Sequence, residues 1–335
     1  GKSGVGKIKS FDSSNLDVQI AAEIKEYQPL DDMNQREVRK LARFSQLSIS
    51  ATKQALKDAQ LMTREDSDRI GCSIGVGIGD IESIYSTSNK FYQLGQKKVS
   101  PFFIPTVIAN MASGNTSNFF NLKGPNICTT TACASGTHAI GEGWLYIRNH
   151  LADVMICGGA ESAITELTVS GFSNMKALSK SNEEPETASR PFDQDRNGFV
   201  LGEGAGVIVL EDLDHAIKRN APIYAEMVGY GLSADAHHMT APAPQGEGAQ
   251  RCMKLALDSA KISPDEVNYI NAHGTSTYYN DLYETQAITG LFKHHAKSIA
   301  VSSTKGVTGH CLGAAGGVEA VFLAKSMKEQ VIPPT

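Results

Sequence analysis

Along residues 35–60, Leu41, Phe44, Ser48, Ala51, Ala55 and Ala59 recur on one face at about 3.6 residues per turn, so the pattern predicts one packed helix. The period then changes. RIGCSIGVGIGD (69–80) and ADVMICGGAES (152–162) are apolar runs without alternation, the signature of strands buried on both faces. GAGVIVLEDLDHAIKRN (204–220) reads as a strand running into a helix. Further strands are predicted at IYAEMVGYG (223–231), VNYINAHGTST (267–277) and SIAVSST (298–304), separated by helical stretches such as GAQRCMKLALDSAKI (248–262). This alternation predicts α/β layers with largely parallel strands. APAPQGEG (241–248) reads as a surface loop, no low-complexity linker divides the chain, and no residue-level repeat is visible.

Composition narrows the picture. The chain has 335 residues, 41% hydrophobic and 20% charged, enough for two domains or one large duplicated domain. A net charge of -5 argues against nucleic-acid binding, which needs a basic stripe. No apolar run is long enough for a membrane span and the first residues lack the apolar core of a signal peptide, so a cytoplasmic location is expected. Six cysteines without CxxC pairs suggest neither a zinc site nor a disulfide framework.

GKSGVGKI (1–8) nearly spells a phosphate loop. Ile8, however, stands where a magnesium-binding hydroxyl is required and no strand precedes it, so the segment reads as a flexible turn.

Cys133 is different. It lies among small residues in TTTACASGTHAIGEGW, between a predicted strand, GPNICTTTA, and a helix burying Ile140, Trp144 and Ile147. A helix amino end favours a thiolate and is expected to lower its pKa, while small neighbours admit a substrate. His273 ends one strand and is followed by Gly-Thr-Ser-Thr; His310 lies after another in the glycine-rich TKGVTGHCLGAAGG. The carboxyl ends of strands are where open α/β sheets place ligands. His138, His237, His238, His294 and His295 read as satisfied or solvated side chains, and no spacing suggests a metal site.

TACASGTHAIGEG, RPFDQDRNGFVLGEGAG, NAHGTST and SSTKGVTGHCLGAAGG together resemble the β-ketoacyl-acyl carrier protein synthases, nearest to the type II enzyme of fatty acid synthesis. The resemblance spans nearly the whole chain. It implies the thiolase-like duplicated α-β-α-β-α fold of two five-stranded halves, with a cysteine half at 1–211 and a histidine half at 212–335, and normally a homodimer. The family pattern begins a strand and helix before residue 1 and closes with a Phe-Gly-Phe-Gly-Gly loop after Thr335, so the resemblance also implies an incomplete fold and poor activity in isolation.

The implied chemistry is extension of an acyl chain by malonyl delivered on an acyl carrier protein, with no cofactor beyond the carrier's phosphopantetheine. Cys133 matches the nucleophile, and His273 and His310 the pair that binds the malonyl thioester oxygen. Lys305 and Glu284, eleven residues after His273, match groups that orient and polarise that pair. Thr275 and Thr277 match the pantetheine-binding threonines, and Ile78 resembles the residue gating the acyl pocket. After HGTST the family usually continues Pro-x-Gly-Asp, where this chain has Tyr278-Tyr279-Asn280-Asp281. A thiolase would be expected to show a second catalytic cysteine, and a noncatalytic partner subunit to lack Cys133; a polyketide ketosynthase would use the same three residues. Finally, Arg36, Arg39, Lys40 and Arg43 recur at helical spacing, predicting one basic patch for an acidic carrier protein.

Overall fold

The computed structural model describes residues 1–61 and 67–335. At its start β1 (Gly6–Lys7) pairs antiparallel with β2 (Ile20–Ala21). Val5, Ile8, Val18 and Ile20 are buried there, and Gly4 N–H donates to Val307 O at 2.9 Å. The phosphate-loop lookalike is therefore packed rather than the free turn expected, because its apolar residues join a core cluster.

The stretch 35–60, predicted as one helix, is two. A capping box starts α1 (Gln35–Val38): Asn34 Oδ1 accepts from the Arg36 and Glu37 N–H groups, and Glu37 Oε2 accepts from Asn34 N–H. The chain then turns. Gln46 Nε2 donates to Val38 O at 3.0 Å and Leu41 O at 2.8 Å, satisfying carbonyls that helix ends leave free. Next, α2 (Arg43–Asp58) buries Phe44, Leu47, Ser48, Ile49 and Leu56, a wider face than the stripe predicts.

The first apolar run becomes β3 (Ile70–Gly75), buried at every position. It is followed by α3 (Ile81–Leu94), capped by Asp80, then α4 (Phe103–Val107), α5 (Met111–Phe120) and the short β4 (Asn126–Ile127). Beyond α6 (Ser135–Arg148), the second run forms β5 (Val154–Glu161), again wholly buried. The chain continues through α7 (Glu166–Asn174), β6 (Gly204–Glu211), α8 (Leu213–Lys218) and α9 (Glu247–Ala260). It ends with β7 (Tyr269–Asn271), α10 (Tyr278–Phe292), β8 (Ala300–Ser302), α11 (Lys305–Thr308) and α12 (Ala315–Glu329).

One sheet has the order β4-β3-β5-β6. β3 is parallel to β4 and β5, whereas β6 runs antiparallel to β5 with Glu161 opposite Gly204. The sheet is thus mixed rather than largely parallel, because the chain leaves β5 at Glu161 and re-enters beside it without crossing to the other end. Val154 and Ile156 face Phe44, Leu56 and Ala112 of α2 and α5. Their neighbours Met155 and Cys157 face Ile140 and Ile147 of α6 and Ala320 of α12. Alternate strand residues thereby serve two helical layers.

A second, two-stranded parallel sheet pairs β7 with β8 and packs Ile270 and Val301 with Leu257, Ile288 and Phe292 of α9 and α10. IYAEMVGYG, predicted as a strand, joins no ladder among the described residues. Its glycines lie against α9 instead: a Cβ at Gly231 would meet Cys252 O at 2.4 Å. Close approach also governs α6 and α12. A Cβ at Gly206 would lie 2.2 Å from Val318 N, and one at Gly136 2.7 Å from Gly317 N, so both helix amino ends press on the sheet and on each other.

Candidate active site

Cys133 is mounted on a strained turn. β4 leads into a single 3-10 turn, Ala132–Ala134, before α6, and Ala132 takes φ of 51°. A left-handed alanine costs on the order of 1–2 kcal/mol. Ser135 holds the turn: its Oγ accepts from Thr131 N–H at 2.9 Å and donates to Ala132 O at 2.7 Å.

The two histidines arrive from the second sheet. Cys133 Sγ lies 3.0 Å from His310 Nε2. His310 is anchored through its backbone, donating N–H to Val200 O at 2.7 Å and accepting from Gly202 N–H at 2.9 Å. His273, just after β7, stands edge-on to His310 with ring centroids 5.2 Å apart. Phe199 packs edge-on against His310 at 5.3 Å.

Burial sets the charge states. It pushes His273 down to about 3 and His310 well below the ordinary histidine value, and the Lys305 charge adds to both. Burial also pushes the Cys133 thiol up, against the opposing pull of Lys305. The acidified thiol expected from the helix amino end is therefore not found, because desolvation outweighs it. Thiol and imidazoles are neutral near pH 7, with His310 Nε2 already 3.0 Å from the sulfur.

Charged groups position the pair in ways the sequence did not specify. Glu284 accepts from the backbone N–H groups of His273 at 2.6 Å and Gly274 at 2.7 Å, so it fixes the loop rather than polarising the ring. Lys305, 1% exposed, forms an ion pair with Glu319. Asp281 is buried and accepts from the N–H groups of Thr275, Ser276 and Phe192. Arg196 stands 3.6 Å from the same carboxylate. The departure Tyr278-Tyr279-Asn280-Asp281 thus still delivers an aspartate that ties HGTST to the RPFDQDRNGF loop. Sequence reading missed Glu161, Asp281 and Glu319 as site supports. The available signal was an acidic residue set in an apolar run, as in ICGGAES and GGVEAVF.

Known proteins resemble the chain over its whole length. Residues 1–216 match the N-terminal domain of β-ketoacyl synthases and residues 224–335 the C-terminal domain. The chain belongs to the β-ketoacyl synthase family. It is 46% identical, over its whole length and 81% of the relative's, to 3-oxoacyl-[acyl-carrier-protein] synthase 2 of a Synechocystis species. Against the protein of that name from Staphylococcus aureus it is 48% identical, over 83% of that relative. Among solved structures, a β-ketoacyl synthase from Burkholderia phymatum superposes with a TM-score of 0.91 at 33% identity, over 98% of this chain and 80% of that one. A type II polyketide ketosynthase in complex with its acyl-carrier protein, AntDE:AntF, gives 0.89 at 31% identity, over 100% and 81% of the two chains.

The remaining residues singled out for a β-ketoacyl synthase fall in several places. Thr275 and Thr277 follow His273, and their hydroxyls bond each other at 2.8 Å. Ile78 is 36% exposed on the loop after β3. Arg36, Arg39 and Lys40 are exposed, but they span α1 and a turn rather than one helix. Arg43 leaves the basic patch: its guanidinium binds both oxygens of Glu203, at 2.8 and 2.7 Å, and lies over the Tyr27 ring. Sequence spacing offered no metal motif, yet donor atoms of Cys133, His273 and His310 all lie within 4.8 Å of one another. These residues could offer soft ligands to a divalent ion. No helix is long and apolar enough to cross a membrane, among the described residues.

Proposed function

We propose that this chain performs the decarboxylative condensation of malonyl-acyl carrier protein with a cysteine-bound acyl group, giving 3-oxoacyl-acyl carrier protein in fatty acid elongation. The carrying observation is the thiol 3.0 Å from an imidazole with a second imidazole beside it. In the first step Cys133 Sγ attacks the acyl thioester carbon. His310 Nε2 takes the thiol proton and returns it to the departing pantetheine sulfur, leaving acyl-Cys133 and a free carrier thiol. In the second, the bond from malonyl to its carboxylate breaks and carbon dioxide leaves. The electron pair passes into an enolate whose oxygen accepts an N–H bond from His273 and, after a solvent proton joins Nε2 of His310 and its Nδ1 proton leaves to solvent, a second from His310. The enolate carbon then bonds to the acyl carbon, the C–S bond to Cys133 breaks, and the thiolate takes one proton from solvent.

Neutral donors suit this role, since preorganised donors aimed at a developing oxyanion give about a hundredfold to a thousandfold in rate. In the same reading residues 1–211 supply the nucleophile and 212–335 both histidines. Thr275 and Thr277 face the pantetheine arm, and Ile78 borders the acyl chain. Phosphopantetheine arrives on the carrier, and the setting is the cytoplasm. A second copy covers the apolar side chains exposed on α3 and α4, among them Ile84, Phe91, Leu94 and Ile104.

Higher identity to the two synthase 2 relatives, 46–48% against 31% for the polyketide ketosynthase, favours the fatty acid substrate over a polyketide one. The test is incubation with acyl- and malonyl-carrier protein, following carbon dioxide and the carrier by intact mass. A carrier heavier by the acyl group plus a two-carbon unit is expected. Carbon dioxide without that product would overturn the condensation.

A further inference from the structure

Glu161 ends β5 with none of its surface exposed, and the described residues give it no cationic partner. Backbone N–H groups alone meet its carboxylate, those of Gly77 at 2.8 Å, Ile78 at 3.4 Å and Gly313 at 3.1 Å. The first two belong to the loop that carries Ile78; the third belongs to the turn that follows His310. Gly77 also borders the cysteine turn, since a Cβ there would lie 2.7 Å from Glu161 Oε2 and 3.4 Å from Ala132 O. A buried carboxylate without a counter-ion is a costly way to join two loops that an apolar contact could hold. What it provides is one rigid acceptor shared between segments on the two sides of the reaction.

We propose that Glu161 is a positioning residue that couples the two half-reactions, carrying the position of the Gly77–Ile78 loop to the loop that holds His310. The inference deepens the condensation proposed above and rests on it. An acyl chain that shifts Ile78 shifts Gly77, and the shared carboxylate moves Gly313 and the histidine ahead of it. Unloaded enzyme then holds His310 off its best alignment, and acylation brings it in.

The experiment compares release of carbon dioxide from malonyl-carrier protein by the full chain before and after stoichiometric acylation, verified by intact mass. The unaltered protein should decarboxylate faster when loaded, by about fivefold or more. Glu161→Gln keeps the shape but sets an amide N–H against a backbone N–H, and should bring the ratio of the two rates toward one. An unchanged ratio in this variant, or equal rates in the unaltered protein, overturns the proposal. If the variant does not fold, a pH series on the unaltered protein decides. Burial pushes Glu161 up to about 7, while the thiols facing it, Cys128, Cys133 and Cys311, are pushed up and stay neutral there. The ratio should fall as pH drops through about 7; a flat ratio overturns the proposal. Protein that accepts no acyl group at all would instead sink the condensation reading, a result distinct from loaded protein without coupling.

Discussion

Residues 132–135 and 312–315 follow closely similar backbone paths. Ala132 and Leu312 take φ of 51° and 47°, each opens a 3-10 turn, and Ser135 and Ala315 follow at φ of -52° to start α6 and α12. One cysteine lies within the first turn and another just before the second, in opposite surroundings. Cys133 sits at the second position of its 3-10 turn with Sγ 3.0 Å from His310 Nε2. Cys311 precedes its turn, is 4% exposed, and its thiol, pushed up to about 12 by burial, points at the carbonyls of Glu203 and Thr308. Where the first turn has Cys133, the second has Gly313, and a Cβ there would stand 2.2 Å from Gly77 N. Repeating the backbone did not repeat the chemistry. On the proposed reading, reactivity comes from the space above the turn and from the imidazoles beside it.

The comparison breaks most visibly at the proposed nucleophile. Cys133→Ala should lower condensation by about a thousandfold or more, with malonyl decarboxylation still measurable as carbon dioxide. Cys311→Ala should keep condensation within a few-fold, and a loss as large as that of Cys133→Ala would show that the second turn shares the chemistry. His310→Ala should reduce decarboxylation about a hundredfold to a thousandfold, while acyl-Cys133 still forms, more slowly, read by intact mass.

Smaller effects sharpen the same contrast. Gly313→Ala should cost about 1–3 kcal/mol in urea unfolding through overpacking against Gly77, whereas Cys133→Ala, in the roomier turn, should cost less. Stability should also fall in acid. His273 is depressed to about 3 in the folded chain, so below its ordinary value of 6.5 the unfolded chain binds a proton that the folded one does not. Its contribution is full above 6.5 and is lost as pH falls toward about 3, and His310 acts in the same direction. Last, Arg39→Glu with Lys40→Glu should raise KM for carrier-bound substrate a few-fold at low salt and leave a pantetheine-only acyl mimic unaffected. Equal losses on both substrates would make these residues supports of the fold.

What the sequence disclosed followed from local physics. Unbroken apolar runs gave β3 and β5 because central strands need no polar face. The cysteine between a strand and a helix, and the histidines after β7 and β8, were placed correctly because strand ends are local signals. Long-range events were hidden. The break at Arg39–Ala42 depends on Gln46 reaching back to Val38 and Leu41, and a period-3.6 stripe does not register it. The loss of Arg43 from the basic patch depends on Glu203, 160 residues away. The thiol's upward shift depends on burial by segments far along the chain, so the helix-end argument alone gave the wrong direction. The repeated turn was invisible because TACASG and CLGAAG share a backbone path and little side-chain character.

The central claim, that one of two like turns bears the reactive thiol, is tested most directly by acylating the full chain from acyl-carrier protein, digesting it, and locating the adduct among its six cysteines by mass spectrometry. The account predicts one acyl group, on the peptide containing Cys133, and none after Cys133→Ala. An adduct on Cys311, or one that persists when Cys133 is replaced, would contradict it.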